Sequence, residues 1–323
     1  MKILITGAAG FIGFHLAKRL LSDGHEVLGI DNFNNYYDPT LKESRNSILE
    51  TMSGYRCKRI DIIDKESLQV AFEDFSPEVV VNLAAQAGVR YSITNPDVYV
   101  QSNIVGFLNV LECCRHAKRQ PKLMYASSSS VYGGNKEVPF TEDQKVDSPV
   151  SLYAATKKSN ELMASCYSHL YDLQILGFRF FTVYGPWGRP DMAYFSFAEK
   201  LVSGCPIKVF NNGDMYRDFT YIDDIVDGLT KCIYAENMPK CDVYNIGNSR
   251  SEKLIDMINV LAGALDVKNP RMEFLPMQPG DVYKTFASVH KLNEIVGYEP
   301  TTPITVGLPR FAAWYREWKR EHI

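Results

Sequence analysis

One segment constrains this chain more than any other. Residues 2–6 have the apolar character of a strand, and directly behind them comes Gly7-Ala-Ala-Gly10-Phe11-Ile12-Gly13, which opens an amphipathic helical run. Without a Cβ at these points, backbone can approach a ligand closely. The helix start beyond them offers N–H groups and a positive dipole end to an anion. A strand, a glycine loop and a helix in that order form the pyrophosphate cradle of a dinucleotide. Eighteen residues past Gly13, Asp31 closes the second predicted strand, and Asn32 follows it. Its carboxylate can accept both ribose hydroxyls of adenosine and would repel a 2′-phosphate, which favours NAD over NADP. Asp31 could equally cap the turn before Asn32.

The rest of the first half repeats that opening. Strand-length apolar runs are predicted over 26–30, 55–60, 78–83, 122–127 and 174–181, with helix-length segments between them. They are continuous rather than alternating, VVVNLA and ILGFRFF for example, as a parallel sheet buried on both faces requires. The fold class is therefore α/β, a Rossmann-like doubly wound parallel sheet. Asn95–Pro96 opens a long helix to about 116, and Ser148–Pro149 precedes another to about 171. From Thr182 the loops turn rich in Gly, Pro and Asn, the texture of a smaller α/β lobe that binds a substrate. The helix and strand over 224–247 look like one more unit of the sheet. Residues 1–181 are thus expected to form the cofactor domain, with about 219–247 returning to it. Residues 182–218 and 248–323 form the interleaved substrate lobe.

Composition excludes several alternatives. Thirty-five basic residues against 38 acidic ones leave a net charge of -3, with no broad basic face for nucleic acid. No apolar stretch reaches the ~18 residues of a membrane span, and no signal peptide is visible. The seven cysteines are scattered, without a CxxC pair or a histidine at metal-ligand spacing. No metal is expected, and reduced thiols in a cytoplasm fit this pattern.

Chemistry is carried by three residue types. Tyr153 and Lys157 stand four apart on a predicted helix and share a face. Tyr132/Lys136 and Tyr315/Lys319 have the same spacing, so the spacing alone decides nothing. Tyr153 differs because a serine run, Ser127 to Ser130, ends a strand at the sheet edge where open α/β sheets bind ligands. Such a set suits hydride transfer at a secondary alcohol. A phenol with an ordinary pKa near ~10 is drawn toward working pH by an ammonium and an oxidised nicotinamide. Tyr153 is then the base, Lys157 lowers its pKa and holds the nicotinamide ribose, and a serine hydroxyl bonds the reacting oxygen.

These features together resemble the extended short-chain dehydrogenase/reductase family, and within it the nucleotide-sugar epimerases. The likeness covers essentially the whole chain. The family's catalytic serine lies five residues before the glycine of a V-Y-G turn, which selects Ser128 ahead of Gly133, and Tyr153 follows 25 residues after Ser128. AAQAGVRYS, SSSSVYGG, SLYAATKKSNELMA, RFFTVYGPWGRPDMAYF and RDFTYIDDIV are most similar to members acting at C4 of UDP-glucuronate. That resemblance implies tightly held NAD, a transient 4-keto sugar, UDP-galacturonate as the other partner, and a homodimer built on the two long helices. By matched motif, Asp61 and Ile62 should hold the adenine, and Leu83, Ala84 and Ala85 should line the cofactor bed. Thr182 and Arg189 should meet the glucuronate carboxylate, Arg217 the pyrophosphate and Asp281 the uridine ribose. Galactose-type epimerases carry an arginine where this chain has Gln278.

Arg189 also has a physical reading of its own, since a guanidinium in a Gly-Pro loop can grip a carboxylate bidentately. Its alternative is an ion pair with Asp191, as Arg217 could pair with Asp218. Arg90 stands open as a carboxylate or phosphate contact. Related dehydratases and decarboxylases place acidic side chains just before V-Y-G, where this chain has Ser129 and Ser130. Dehydration is thereby disfavoured, and decarboxylation less strongly, which leaves inversion at C4 as the expected reaction.

Overall fold

The computed structural model describes residues 1–277 and 283–322. Its first half alternates strands and helices. β1 (Lys2–Thr6) leads into α1 (Phe11–Ser22), β2 (Glu26–Asp31) into α2 (Thr40–Glu50), and β3 (Tyr55–Arg59) into α3 (Lys65–Phe75). After β4 (Val79–Asn82) come α4 (Tyr91–Thr94), α5 (Pro96–Tyr99), a π turn over Val100–Val105, and α6 (Gly106–His116). β5 (Lys122–Ser128), α7 (Leu152–Tyr171) and β6 (Ile175–Phe180) follow.

The second half is built from shorter pieces. β7 (Thr182–Tyr184), α8 (Ala193–Val202), β8 (Ile207–Val209), β9 (Tyr216–Arg217) and β10 (Phe219–Tyr221) precede α9 (Ile222–Tyr234) and β11 (Cys241–Ile246). Then come β12 (Glu252–Lys253), α10 (Leu254–Ala264), β13 (Met272–Phe274), α11 (His290–Val296) and α12 (Ile304–His322). β11 pairs in parallel with β6 and so returns to the edge of the main sheet.

That sheet has seven parallel strands in the order β11-β6-β5-β4-β1-β2-β3. Both faces of the inner strands are covered, which is why those strands are largely apolar; β3 at the edge, YRCKR, has no fully buried residue and departs from the expected apolar run. Leu4, Leu28, Val80, Leu123 and Ile175 form a row beneath one helical layer, while Ile3, Ile5, Val27, Val79 and Val81 face the other. Each such side chain contributes roughly 1.5–3 kcal/mol when withdrawn from water. The chain leaves β1 and β4 toward opposite sides of the sheet, so their carboxyl ends border a crevice, the place where this architecture takes its ligand.

Two elements fix that crevice. Ser151 caps α7, its hydroxyl accepting from the Ala154 N–H at 3.1 Å, and α7 stops at Asp172 in the left-handed conformation. The long helix expected from residue 96 is helical throughout, but it widens into the π turn around Asn103. The physical reason is the anchoring of that residue. The Asn103 amide accepts from the Gln86 N–H at 2.9 Å and donates to the Gln86 carbonyl at 3.0 Å and to Thr156 Oγ1 at 3.0 Å. Among the described residues, no helix is long and apolar enough to cross a membrane, no acidic, histidine or cysteine cluster could hold a metal ion, and all seven cysteines are free.

Candidate functional site

At the carboxyl edge of the sheet lies a cleft of about 440 Å³. Its floor at one end is the glycine loop. Gly7 sits at φ +72°, and a Cβ there would lie 2.8 Å from the Ala84 nitrogen. At Gly13 a Cβ would come within 2.1 Å of the Gly7 carbonyl oxygen, so the turn closes only without side chains. Gly10 is the N-cap of α1 and brings no capping side chain, and Phe11 and Ile12 begin the helix beside the cleft. This cradle fits a dinucleotide diphosphate, which needs close backbone approach and a helix start.

Asp31 lines the cleft and is 6% exposed. Its carboxylate also accepts from the Ala9 N–H at 3.1 Å and the Phe33 N–H at 2.9 Å. Asp31 thus caps the turn before Asn32 and also faces the cleft. Asn32 donates to Asp61 at 2.7 Å, and Asp61 accepts from the Ile63 N–H at 3.1 Å. Ile62, Leu83, Ala84 and Ala85 complete this wall, the last three following β4.

Ser128, Ser129 and Ser130 line the other end, where β5 runs into a single 3₁₀ turn. Ser128 Oγ accepts from the Ser130 N–H at 3.1 Å and donates to Ser130 Oγ at 3.1 Å. Tyr153 and Lys157, one turn apart on α7, face them across the cleft. Lys157 is 3% exposed and donates to the Ala126 carbonyl at 2.8 Å, and burial lowers its pKa to about 8. Burial also raises the pKa of Tyr153, opposed by a hydrogen bond with Ser128 and the charge of Arg189. Burial of the phenol outweighs these opposing influences of Ser128 and Arg189.

Thr182 and Arg189 also line the cleft. The Arg189 guanidinium donates through Nε and Nη2 to the two carboxylate oxygens of Asp191, at 3.1 and 2.9 Å. The ion pair and the place in the cleft thus coexist. Arg217 lies outside the cleft lining, on β9, where its Nη1 donates to the carbonyls of Tyr216 (2.9 Å) and Tyr283 (3.2 Å). The Asp218 carboxylate, raised to about pKa 6 by burial, is taken up by the N–H groups of Asn248, Ser249 and Ala287 and the hydroxyl of Thr220. Arg90 places its guanidinium 5.5 Å from the Phe210 ring centre, also outside the lining. Gln278 and Asp281 lie outside the described residues.

Several lining residues carry no sequence signal. Tyr36 and Tyr37 reach the cleft from the β2–α2 connection and Lys42 from the first turn of α2, its Nζ tied to Asn34 at 2.8 and 3.0 Å. Gln86 and Ser102 enter through the Asn103 anchor and the π turn. Their placement depends on contacts between distant segments, which no local spacing encodes.

Residues 3–247 match the family described as the NAD dependent epimerase/dehydratase family. The chain is 45% identical over 341 residues to a probable UDP-glucuronate 4-epimerase of Rhizobium meliloti, covering 100% of this chain and 99% of that one. It is 46% identical over 328 residues to UDP-glucuronate 4-epimerase 3 of Arabidopsis thaliana, covering 97% and 76%. Among solved structures, UDP-glucuronic acid 4-epimerase from Bacillus cereus, in complex with UDP-glucuronic acid and NAD, superposes with a TM-score of 0.92 at 34% identity, covering 98% of this chain and 100% of that one.

Proposed function

The chain belongs to the NAD dependent epimerase/dehydratase family, and on that premise we propose that it is a UDP-glucuronate 4-epimerase, interconverting UDP-glucuronate and UDP-galacturonate with NAD as its cofactor. One observation carries the choice of reaction. The end of the cleft that holds Ser128, Tyr153 and Lys157 is furnished with hydroxyls and the Arg189 guanidinium, and the acidic side chains of the described lining, Asp31 and Asp61, lie at the other end. Expelling water from C6 needs an acid beside the sugar, and the serines offer none.

Gly7, Gly10 and Gly13 would hold the cofactor diphosphate, Asp31 the adenosine ribose, Asn32, Asp61 and Ile62 the adenine side, and Leu83, Ala84 and Ala85 the bed beneath. Bound NAD would supply the acceptor and donor of the C4 hydride, and the positive charge of its oxidised ring would favour the Tyr153 phenolate. Tyr153 takes the proton of the 4-hydroxyl and later gives it back. Ser128 steadies that oxygen, and Lys157 orients the nicotinamide ribose. Oxidation at C4 makes a β-keto acid, prone to lose its carboxyl group. Arg189, Thr182, Ser129 and Ser130 oppose that loss by holding the carboxylate near the ring plane, where the breaking bond overlaps poorly with the ketone.

The chain divides its labour accordingly. Residues 1–181, with the segment of about 219–247, form the cofactor body, and 182–218 with 248–323 the substrate lobe; the pairing of β11 with β6 supports this division. Arg217 serves the substrate diphosphate from β9, and Gln278 and Asp281 the nucleotide. A homodimer forms through α5, α6 and α7, supported by exposed apolar side chains on both long helices, Val98, Val100, Leu108 and Leu162. NMR of products from UDP-glucuronate tests the function. UDP-galacturonate is expected, whereas a pentose and carbon dioxide would replace this reading with a decarboxylase. The Tyr153→Phe variant should lose roughly 10²–10⁴-fold in turnover while keeping its NAD.

A further inference from the structure

Arg45, on α2, is 0% exposed, and all five of its N–H groups are used. Every acceptor is neutral. Nη1 donates to the Ala9 carbonyl in the glycine loop and to Tyr37 Oη, both at 2.9 Å. Nε and Nη2 both donate to the Trp187 carbonyl, and Nη2 also to that of Gly188 at 3.0 Å. His15, on α1, takes the carbonyl just before these, its Nε2 lying 2.9 Å from the Pro186 oxygen. Burial lowers the His15 pKa to about 4, so the ring is neutral and Nε2 carries the hydrogen that the carbonyl accepts.

Three successive carbonyls, those of residues 186, 187 and 188, are therefore gripped from the cofactor side of the cleft. The next residue is Arg189. Trp187 is held at φ +60°, a conformation that a tryptophan avoids unless its surroundings impose it. Its ring packs on Phe14 of α1 (5.6 Å between ring centres) and on Trp314 and Trp318 of α12 (5.3 and 5.4 Å). A lysine could not reproduce this grip, because a compact ammonium with three donors cannot span acceptors on three segments.

We propose that Arg45, with His15 beside it, is a positioning residue that fastens the sugar-end loop to the glycine loop and so presents Arg189 to the acid group of the substrate. The inference rests on the UDP-glucuronate reading and deepens it. It assigns recognition of the sugar carboxylate partly to two side chains that never touch the sugar.

The test compares UDP-glucuronate with UDP, which lacks the acidic sugar, in calorimetric titrations of the NAD-loaded enzyme. In Arg45→Lys, UDP affinity should stay within about twofold of wild type, while the preference for UDP-glucuronate over UDP falls at least about tenfold. KM should rise with kcat within about threefold, the signature of lost orientation rather than lost chemistry. All three tryptophans of the chain lie in this loop or against it, so their emission should shift in the same variant. An unchanged preference overturns the proposal, as does equal loss for both ligands. Should Arg45→Lys not fold, His15→Leu decides: a fall in preference of about threefold supports the proposal, and wild-type preference overturns it. If wild type converts UDP-glucuronate while these variants keep its preference, only this inference falls. If wild type converts none, the functional reading falls and takes this inference with it.

Discussion

Tyr153 and Lys157 show what a residue pattern encodes and what it leaves out. Their spacing, and the serine run opposite, were legible because a helix turn and a strand end are local facts. The ionisation of the pair was not, because it follows from burial by segments far away in sequence. Burying the Lys157 ammonium costs folding free energy for as long as it is charged. Its folded pKa of about 8 lies below the ordinary 10.5, so between these values the unfolded chain binds more protons and stability rises with pH. The penalty is complete below pH 8 and amounts to about 3 kcal/mol. In cofactor-free protein, the stability of Lys157→Met minus that of wild type should therefore shrink by about that amount between pH 7 and 10.5. Denaturant melts across this range measure it, and a pH-independent difference would contradict the account.

At the scale of elements, α7 must sit in one register against β5 and β6 for Tyr153 to meet Ser128. A buried ion pair sets that register. Arg179 of β6 donates to both carboxylate oxygens of Glu161 on α7, at 2.8 and 2.9 Å, and Ser127 adds a third bond at 2.7 Å. Burial raises the Glu161 pKa, but Arg179 and Ser127 outweigh it and keep the carboxylate ionised. Glu161→Gln should cost about 3–5 kcal/mol in thermal or denaturant melts, because Arg179 is left charged and unpaired in the interior. A loss under 1 kcal/mol would mean that the pair is not what fixes α7. The helix itself was readable from the Ser148–Pro149 signal ahead of it, while its cap, Ser151, is a finding of the structure. The π turn before α6 was not, since VQSNIV carries no local mark of it and the turn exists because Asn103 is pinned by Gln86 and Thr156.

Across the whole molecule, the doubly wound sheet could be read from strands that are apolar on both faces, and the return of β11 from a strand-like run at the end of a helical one. The end of the cleft around Arg189 was harder to read. Arg189 reaches the cleft by way of a loop held from α1, α2 and α12, and Arg217 stands outside the lining although its motif matches. Assembly belongs to this scale too. Leu162 on α7 is 61% exposed, and Leu162→Glu should convert the proposed dimer to a monomer in sedimentation velocity. A monomeric wild type would refute that assembly. The central claim is that the hydrogen leaving C4 returns to the same carbon from the other side. UDP-glucuronate deuterated at C4, incubated with the enzyme in ordinary water and followed by NMR, tests it most directly. The account predicts UDP-galacturonate with deuterium retained at C4 and the six-carbon sugar intact. Loss of the label to solvent, or formation of a pentose with carbon dioxide, would contradict it.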